Sequence, residues 1–285
     1  MPSWDFDTPG PVRLDLELPF GRIDVDTEET TTQTHVDLEG SGDVQDLIDT
    51  ATVESRARGA GHEVRVEVRR RSGFFISFGH GPDLRLRVTC PAGADIVVRS
   101  KSADLRGRGR FGSAEVKTAS GDINLDTVAG DTRVKTASGD VALTEGHGLT
   151  HVQTASGDVA IQQARGDVTV QGVSGDVWVK DATQSVHVNT VSGDQRLDAV
   201  MEGSVETQAV SGDILIGVRR GSRVYVDANT VSGSTSSELN LTDAPAEDGD
   251  AGDADGGPMV EIRAKTVSGD VSLVRAAAPT PTQAG

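Results

Sequence analysis

Residues 116–125 read VKTASGDINL, residues 134–143 read VKTASGDVAL, residues 152–161 read VQTASGDVAI and residues 188–194 read VNTVSGD. The aspartates of this mark fall at Asp122, Asp140, Asp158, Asp176 and Asp194, each 18 residues after the last, and then at Asp213 after one extra residue. Ser232-Gly233-Ser234 is a degenerate copy, and Ser268-Gly269-Asp270 is the final one. A fixed period of this length is the signature of a stacked repeat, in which no unit can bury its apolar face alone and its neighbours supply the rest.

Around each mark the same residue types recur. One residue after it stand Ile123, Val141, Val159, Val177, Ile214 and Val271; three after it stand Leu125, Leu143, Ile161, Val179, Leu197, Ile216 and Leu273. Apolar residues two apart have the period of a strand, and the glycine supplies the bend. Three residues before the aspartate the chain writes Ala119, Ala137 and Ala155, then Val173, Val191, Val210, Val231 and Val267. Gly130-Asp131 and Gly166-Asp167 lie nine residues from the main marks, so each unit holds two short strands and two turns. The predicted fold is all-β: a parallel β-solenoid, β-helix-like, of 18-residue rungs. Lys117, Lys135, Gln153 and Asn189 face outward, and Asp122, Asp140, Asp158, Asp176, Asp194, Asp213 and Asp270 form a structural turn ladder at about 4.8 Å spacing.

Ahead of the repeats, Val12, Leu14, Leu16 and Leu18 alternate with polar residues as a strand does, and further strands are expected around 64–68 and 84–88. Val44, Leu47, Ile48 and Ala51 have the spacing of one short helix. The expected organisation is an N-terminal strand-rich capping region over 1–98, the solenoid over 99–275 with an acidic disordered insert at about 238–258, and a disordered tail over 276–285. A cap has a physical reason, since an open solenoid end exposes unpaired backbone. At the other end, exposed sheet edges near Val271 and Leu273 predict self-association.

The repeats quoted above, together with PFGRIDVDTEET at 19–30 and LRLRVTCPAGADIVVRSKSADLRGRGRFG at 84–112, resemble the bacterial adhesin-like family of unknown function also called the toastrack domain. The resemblance covers roughly residues 10 to 275. It implies the solenoid fold, brings no catalytic residues with it, and implies a link to envelope-stress signalling alongside membrane partners.

Composition narrows the function classes. The 285 residues carry a formal net charge of −17 and 3% aromatic residues, which suits a thin aliphatic core and argues against binding a nucleic-acid backbone. Between Glu238 and Gly257 stand seven acidic residues and no basic one; Arg99, Lys101, Arg106, Arg108 and Arg110 are instead read as outward residues of the first rungs. No basic and apolar leader is readable at the start and no stretch has the ~20 apolar residues of a membrane helix, so the expected location is cytoplasmic. A single cysteine, Cys90, gives no disulfide. Phe74, Phe75 and Phe78 cluster beside three arginines and are candidate docking residues.

Candidate chemistry is sparse. An aspartate ladder invites calcium, but each mark has one glycine where a calcium β-roll needs more, and a turn aspartate satisfies backbone N–H groups itself; no metal and no cofactor are expected. Trp178, Lys180 and Arg196, with Gln195, form the one irregular outer patch, a weak candidate for a ligand. Arg165-Gly166-Asp167 falls at a half-repeat turn where Gly-Asp recurs anyway. No nucleophile elbow or phosphate loop is present. The sequence therefore reads as a non-catalytic intracellular scaffold that binds a protein partner or its own copies. An envelope- or carbohydrate-binding adhesin-like module is the alternative, and a glycan-active enzyme the third reading.

Overall fold

The computed structural model describes residues 2–41, 44–69, 83–239 and 257–276. It is a parallel β-solenoid divided into two compact units, Met1–Val159 and Ala160–Gly285. Phe74, Phe75 and Phe78 lie outside the described residues, as do 240–256 of the acidic insert and 277–285 of the tail.

The first unit contains β1 Ser3–Asp7, β2 Val12–Glu28, β3 Gln33–Ser41, α1 Gln45–Asp49, β4 Thr52–Arg58, β5 Gly61–Glu67, β6 Asp83–Pro91, β7 Ala94–Lys117, β8 Ile123–Val128, β9 Thr132–Lys135, β10 Val141–Gly146 and β11 Thr150–Ser156. Strand β2 is already a solenoid rung. It runs parallel to β5, β6 and β7, with Leu14 opposite Val64 and Ile96, and Ile23 opposite Leu86 and Leu105. It thus lies between the β5–β6 rung and β7, although it precedes both in the chain. Strands β8 and β9 then stack on β7, β10 on β8 and β11 on β9, all parallel, with Val141 opposite Ile123. Three antiparallel strands complete the unit: β3 pairs β6, β1 pairs β3 and β4 pairs β5. The helix α1 buries Leu47 and Ile48. Strand β7 runs unbroken through position 98, where the capping region was expected to end.

The second unit opens within β12 Val159–Ala164 and continues with β13 Val168–Ser174, β14 Val177–Ala182, β15 Val186–Asn189, β16 Gln195–Val200, β17 Gly203–Ser211, β18 Ile214–Val218, β19 Arg223–Ser232, β20 Thr235–Ser237, β21 Met259–Ser268 and β22 Val271–Arg275. Parallel pairing carries β13 to β15 to β17 and β14 to β16 to β18. Then the order departs from the sequence. Strand β21 lies between β17 and β19, with Ile262 opposite Val205 and Val226; β22 lies between β18 and β20, with Val271 opposite Ile214 and Thr235.

The last copy in the chain is therefore an interior rung, and Val271 and Leu273 are buried rather than at an exposed edge. The degenerate copy explains why. Its Thr235 and Ser237 stand where Val271 and Leu273 stand in the neighbouring strand, and its Ser234 replaces the aspartate. A rung with one stacked neighbour gains little from aliphatic residues and tolerates polar ones, as terminal repeats of solenoids do.

Candidate functional site

The aspartate ladder is built from backbone donors. In the first unit the Asp122 N–H donates to Asp104 Oδ1 at 3.1 Å, Asp140 N–H to Asp122 at 3.1 Å and Asp158 N–H to Asp140 at 2.8 Å. In the second, Asp194 N–H donates to Asp176, Asp213 N–H to Asp194 and Asp270 N–H to Asp213, each at 2.8 Å. Asp270 in turn accepts the Ser234 N–H at 2.8 Å and its hydroxyl at 3.0 Å, and these bonds, the backbone one first, hold its carboxyl below the ordinary value. The half-period turns work the same way, with Leu149 N–H on Asp131 and Ser185 N–H on Asp167, both at 3.2 Å. Asp167 of the Arg165-Gly166-Asp167 turn is thereby tied to the next rung. Each carboxylate spends an oxygen on the rung above it, which offsets the like-charge repulsion of the column. No group of three or more His, Cys, Asp or Glu among the described residues is placed to hold a metal. Asp104 was not among the ladder residues singled out from the sequence. Its signal was there, 18 residues before Asp122, hidden because Ala103 replaces the glycine.

The irregular patch closes on itself. Trp178 and Arg196 are register partners on β14 and β16. Both bind Asp198, the indole Nε1 donating to Oδ2 at 2.8 Å and the guanidinium Nε to Oδ1 at 2.5 Å. Asp198 is the residue sequence reasoning did not find. Lys180 stands exposed two residues along β14 from Trp178. Gln195 does not belong to this outer patch: it points inward, is buried, and donates its amide to Thr190 Oγ1 and the Gln208 carbonyl, each at 2.8 Å. The period-2 alternation of β16 puts Gln195 in the inward column that Val177 and Ile214 occupy in the adjacent rungs.

The basic stretch is largely paired within the first unit. Arg99 meets Asp15 at 2.6 Å, Arg108 meets Asp26 at 3.0 Å, and Arg110 lies 3.7 Å from Glu29. Cys90 is buried, and desolvation first, with the Asp26 charge second, pushes its thiol up to about 12. A thiol held neutral in this way is a poor nucleophile.

One surface concavity stands apart. A groove of about 630 Å³ runs across the rungs of the second unit. One wall is the amide-rich row Gln171, Asn189, Gln208, Lys265 and Asn229, in that stacking order. The floor holds small or buried residues such as Thr190, Ala209 and Thr266. The other wall is a valine column with Val191, Val210 and Val267, each about half exposed at 48%, 51% and 49%, and Val231 at 82%. Val173 at 51% extends the column by one rung. In the first unit the same column holds Ala119, Ala137 and Ala155, and the row beside it Lys117, Lys135 and Gln153. The change from alanine to valine three residues before the mark was the sequence signal for this groove.

Among the described residues no helix is long and apolar enough to cross a membrane. Among solved structures, a "putative adhesin" from Bacteroides fragilis aligns with a TM-score of 0.49 at 11% identity, covering 95% of this chain and 96% of that one. A "putative cell adhesion protein" from Clostridium sporogenes aligns with a TM-score of 0.28 at 8% identity, covering 96% and 99%. No curated protein matches the sequence. The model of the Toastrack DUF4097 family matches residues 15–274, the span that holds the repeats, their entry strands and the intercalated last rung, and the chain belongs to that family.

Proposed function

We propose that the protein is a non-catalytic, adhesin-like binding module whose working face is the valine–amide groove of the second unit, and that its partner is a protein presenting an aliphatic ridge. The observation that carries this reading is the exposed column Val173, Val191, Val210, Val267 and Val231. Five valines at about 4.8 Å steps make a strip roughly 19 Å long. Single exposed apolar residues need no explanation, whereas a contiguous strip marks an interaction surface. The amide row opposite supplies donors and acceptors that fix the register of whatever lies in the groove. None of the described residues lining the groove is aromatic, so they offer a sugar ring no platform to stack on, which favours a protein partner over a glycan. The outward carboxylates near the marks are committed to backbone donors, which argues against acid–base chemistry there.

The test is binding of the purified chain to an array of extended peptides and to an array of glycans, repeated with Val191→Asp/Val210→Asp. Both side chains are about half exposed, and an unchanged circular-dichroism spectrum and thermal melt of the variant are the check that its fold is kept. Peptide signals rich in aliphatic residues that vanish in the variant support the proposal. Signals on glycans alone, or peptide signals the variant retains, overturn it. Cell fractionation separates two forms of the reading. An adhesin-like role needs this face outside the cytoplasm, while recovery in the cytosol alone assigns the groove to an intracellular scaffold, where a link to envelope-stress signalling would operate.

A further inference from the structure

The outermost described rung of the second unit, β19–β20, is half-finished. Val224, Val226 and Ala228 are only half-buried, whereas Val260, Ile262 and Ala264, their register partners on β21, are completely buried. Among the described residues β19 pairs with β21 alone, so no strand meets its opposite edge. On its outward face stand Arg223, Tyr225, Asp227 and Asn229, with Tyr225 58% exposed. Arg223 has no ion-pair partner among the described residues, and Asp227 accepts only the Asn229 amide, at 2.6 Å.

We infer that the free edge of β19 pairs antiparallel with the same strand of a second copy of this chain, about a two-fold axis at Tyr225. The sequence of the strand is self-complementary in that register. Arg223 of each copy faces Asp227 of the other, the two Tyr225 rings lie side by side, and inward Val224 meets inward Val226, so the alternation of faces continues across the junction. No neighbouring register that keeps the faces aligned sets Arg223 opposite Asp227. Lowering the pairing sum by two sets Arg223 opposite Tyr225, and lowering it by four sets Arg223 against Arg223. Raising it by two sets Arg223 opposite Asn229 and Tyr225 opposite Asp227. Raising it by four sets Asp227 against Asp227, a like-charge pair. A two-fold interface uses the same patch twice, so both charge contacts form together. An exposed, unpaired strand is a template for such pairing.

Sedimentation equilibrium of the full chain across a wide concentration range tests this. A reversible dimer is expected. Asp227→Arg, which faces Arg223 with a second cation at two symmetric positions, weakens it about tenfold or more. Arg223→Asp/Asp227→Arg exchanges the charges and restores it, which separates lost pairing from lost folding. A monomer at every concentration overturns the inference, as does a dimer indifferent to Asp227→Arg or a double variant that fails to restore association. Dimerisation that begins only when 242–256 are deleted also overturns it, because the chain's own insert would then be the occupant. A dimer abolished by Val191→Asp/Val210→Asp but not by Asp227→Arg moves the contact to the groove.

Discussion

Among the described residues the β5–β6 rung of the first unit and the β19–β20 rung of the second are each stacked on one solenoid neighbour, and they are finished in opposite ways. The first is covered by antiparallel β4 and β3, and its Val64, Val66, Leu84, Leu86 and Val88 are all buried. The second meets no antiparallel strand among the described residues, and its inward positions are half-buried valines on β19 and Thr235 and Ser237 on β20. An aliphatic column needs atoms on both sides to return its full transfer free energy. Where strands supply them, the outer rung keeps large aliphatic side chains; where they do not, it shrinks and becomes polar. Both units also intercalate a segment out of chain order. β2 sits between β5–β6 and β7, and β21–β22 sits between β17–β18 and β19–β20. A segment placed second gains ladders on both edges and is shielded from stray pairing.

The largest effect that tests this contrast is a cavity. Leu86→Ala in the covered rung removes a fully buried side chain and should cost about 3 kcal/mol. Val226→Ala at the half-buried position of the open rung should cost under about 1 kcal/mol, since water already reaches part of its surface. Urea unfolding of the two variants, at concentrations where the chain is monomeric, measures the difference, and equal losses would mean that the β19 edge of the single chain is as well covered as the β6 edge.

Next comes the bend. Gly193 has φ +122°, and a Cβ there would sit 2.1 Å from the Gly175 carbonyl oxygen. Gly233 meets the Gly269 oxygen at the same 2.1 Å, with φ +152°. Gly193 is held between Gly175 and Gly212, whereas the rung of Gly233 has a side on which it can retreat. Gly193→Ala is expected to cost about 3 kcal/mol and Gly233→Ala about 1 kcal/mol. If thermal melts give the same Tm loss for both, the outer rung is not free to move.

The repeat made most of this architecture legible. Within each unit, residues at fixed offsets from the aspartates occupy stacked columns, because a period of 18 residues, or 19 between Asp194 and Asp213, translates each position by one rung. What the period could not show is the order of stacking where copies are separated by an insert. Val271 and Leu273 looked terminal because they come last, yet pairing energy does not depend on chain order, and the best aliphatic copy takes the position with two neighbours. The polar letters of 232–237 mark the rung that has one stacked neighbour among the described residues. The Trp178 patch was legible as an irregularity but not as a closed one, since the sequence does not show that Asp198, two residues along β16 from Arg196, also reaches the Trp178 indole on the neighbouring strand. The groove was visible only as a shift from alanine to valine, whose meaning needed the depth of the rows on either side.

The smallest effect lies in how the first unit holds its edge strand. His35 on β3 bonds Asp5 of β1 through Nδ1 at 2.6 Å and Asp37 through Nε2 at 3.1 Å. The hydrogen bond to Asp5 raises its pKa above the ordinary 6.5, partial burial opposes this, and the Asp37 charge adds to it. A raised folded-state pKa means the clamp contributes in full below about pH 6.5 and is lost as pH rises through the folded value. The ring is 42% exposed, so solvent screening keeps the contribution below about 1 kcal/mol. Hydrogen exchange, corrected for its intrinsic pH dependence, should therefore show β1 less protected at about pH 8 than at about pH 6. Strand β4 is the internal control, because its side-chain ion pairs join arginine to glutamate, Arg58 with Glu63 at 3.3 Å and Arg56 with Glu54 at 2.8 Å, and contain no histidine. His35→Gln should flatten the β1 response while leaving β4 untouched. Protection of β1 that stays level or rises with pH in the unaltered chain would place its attachment in the backbone ladder to β3 rather than in the His35 clamp.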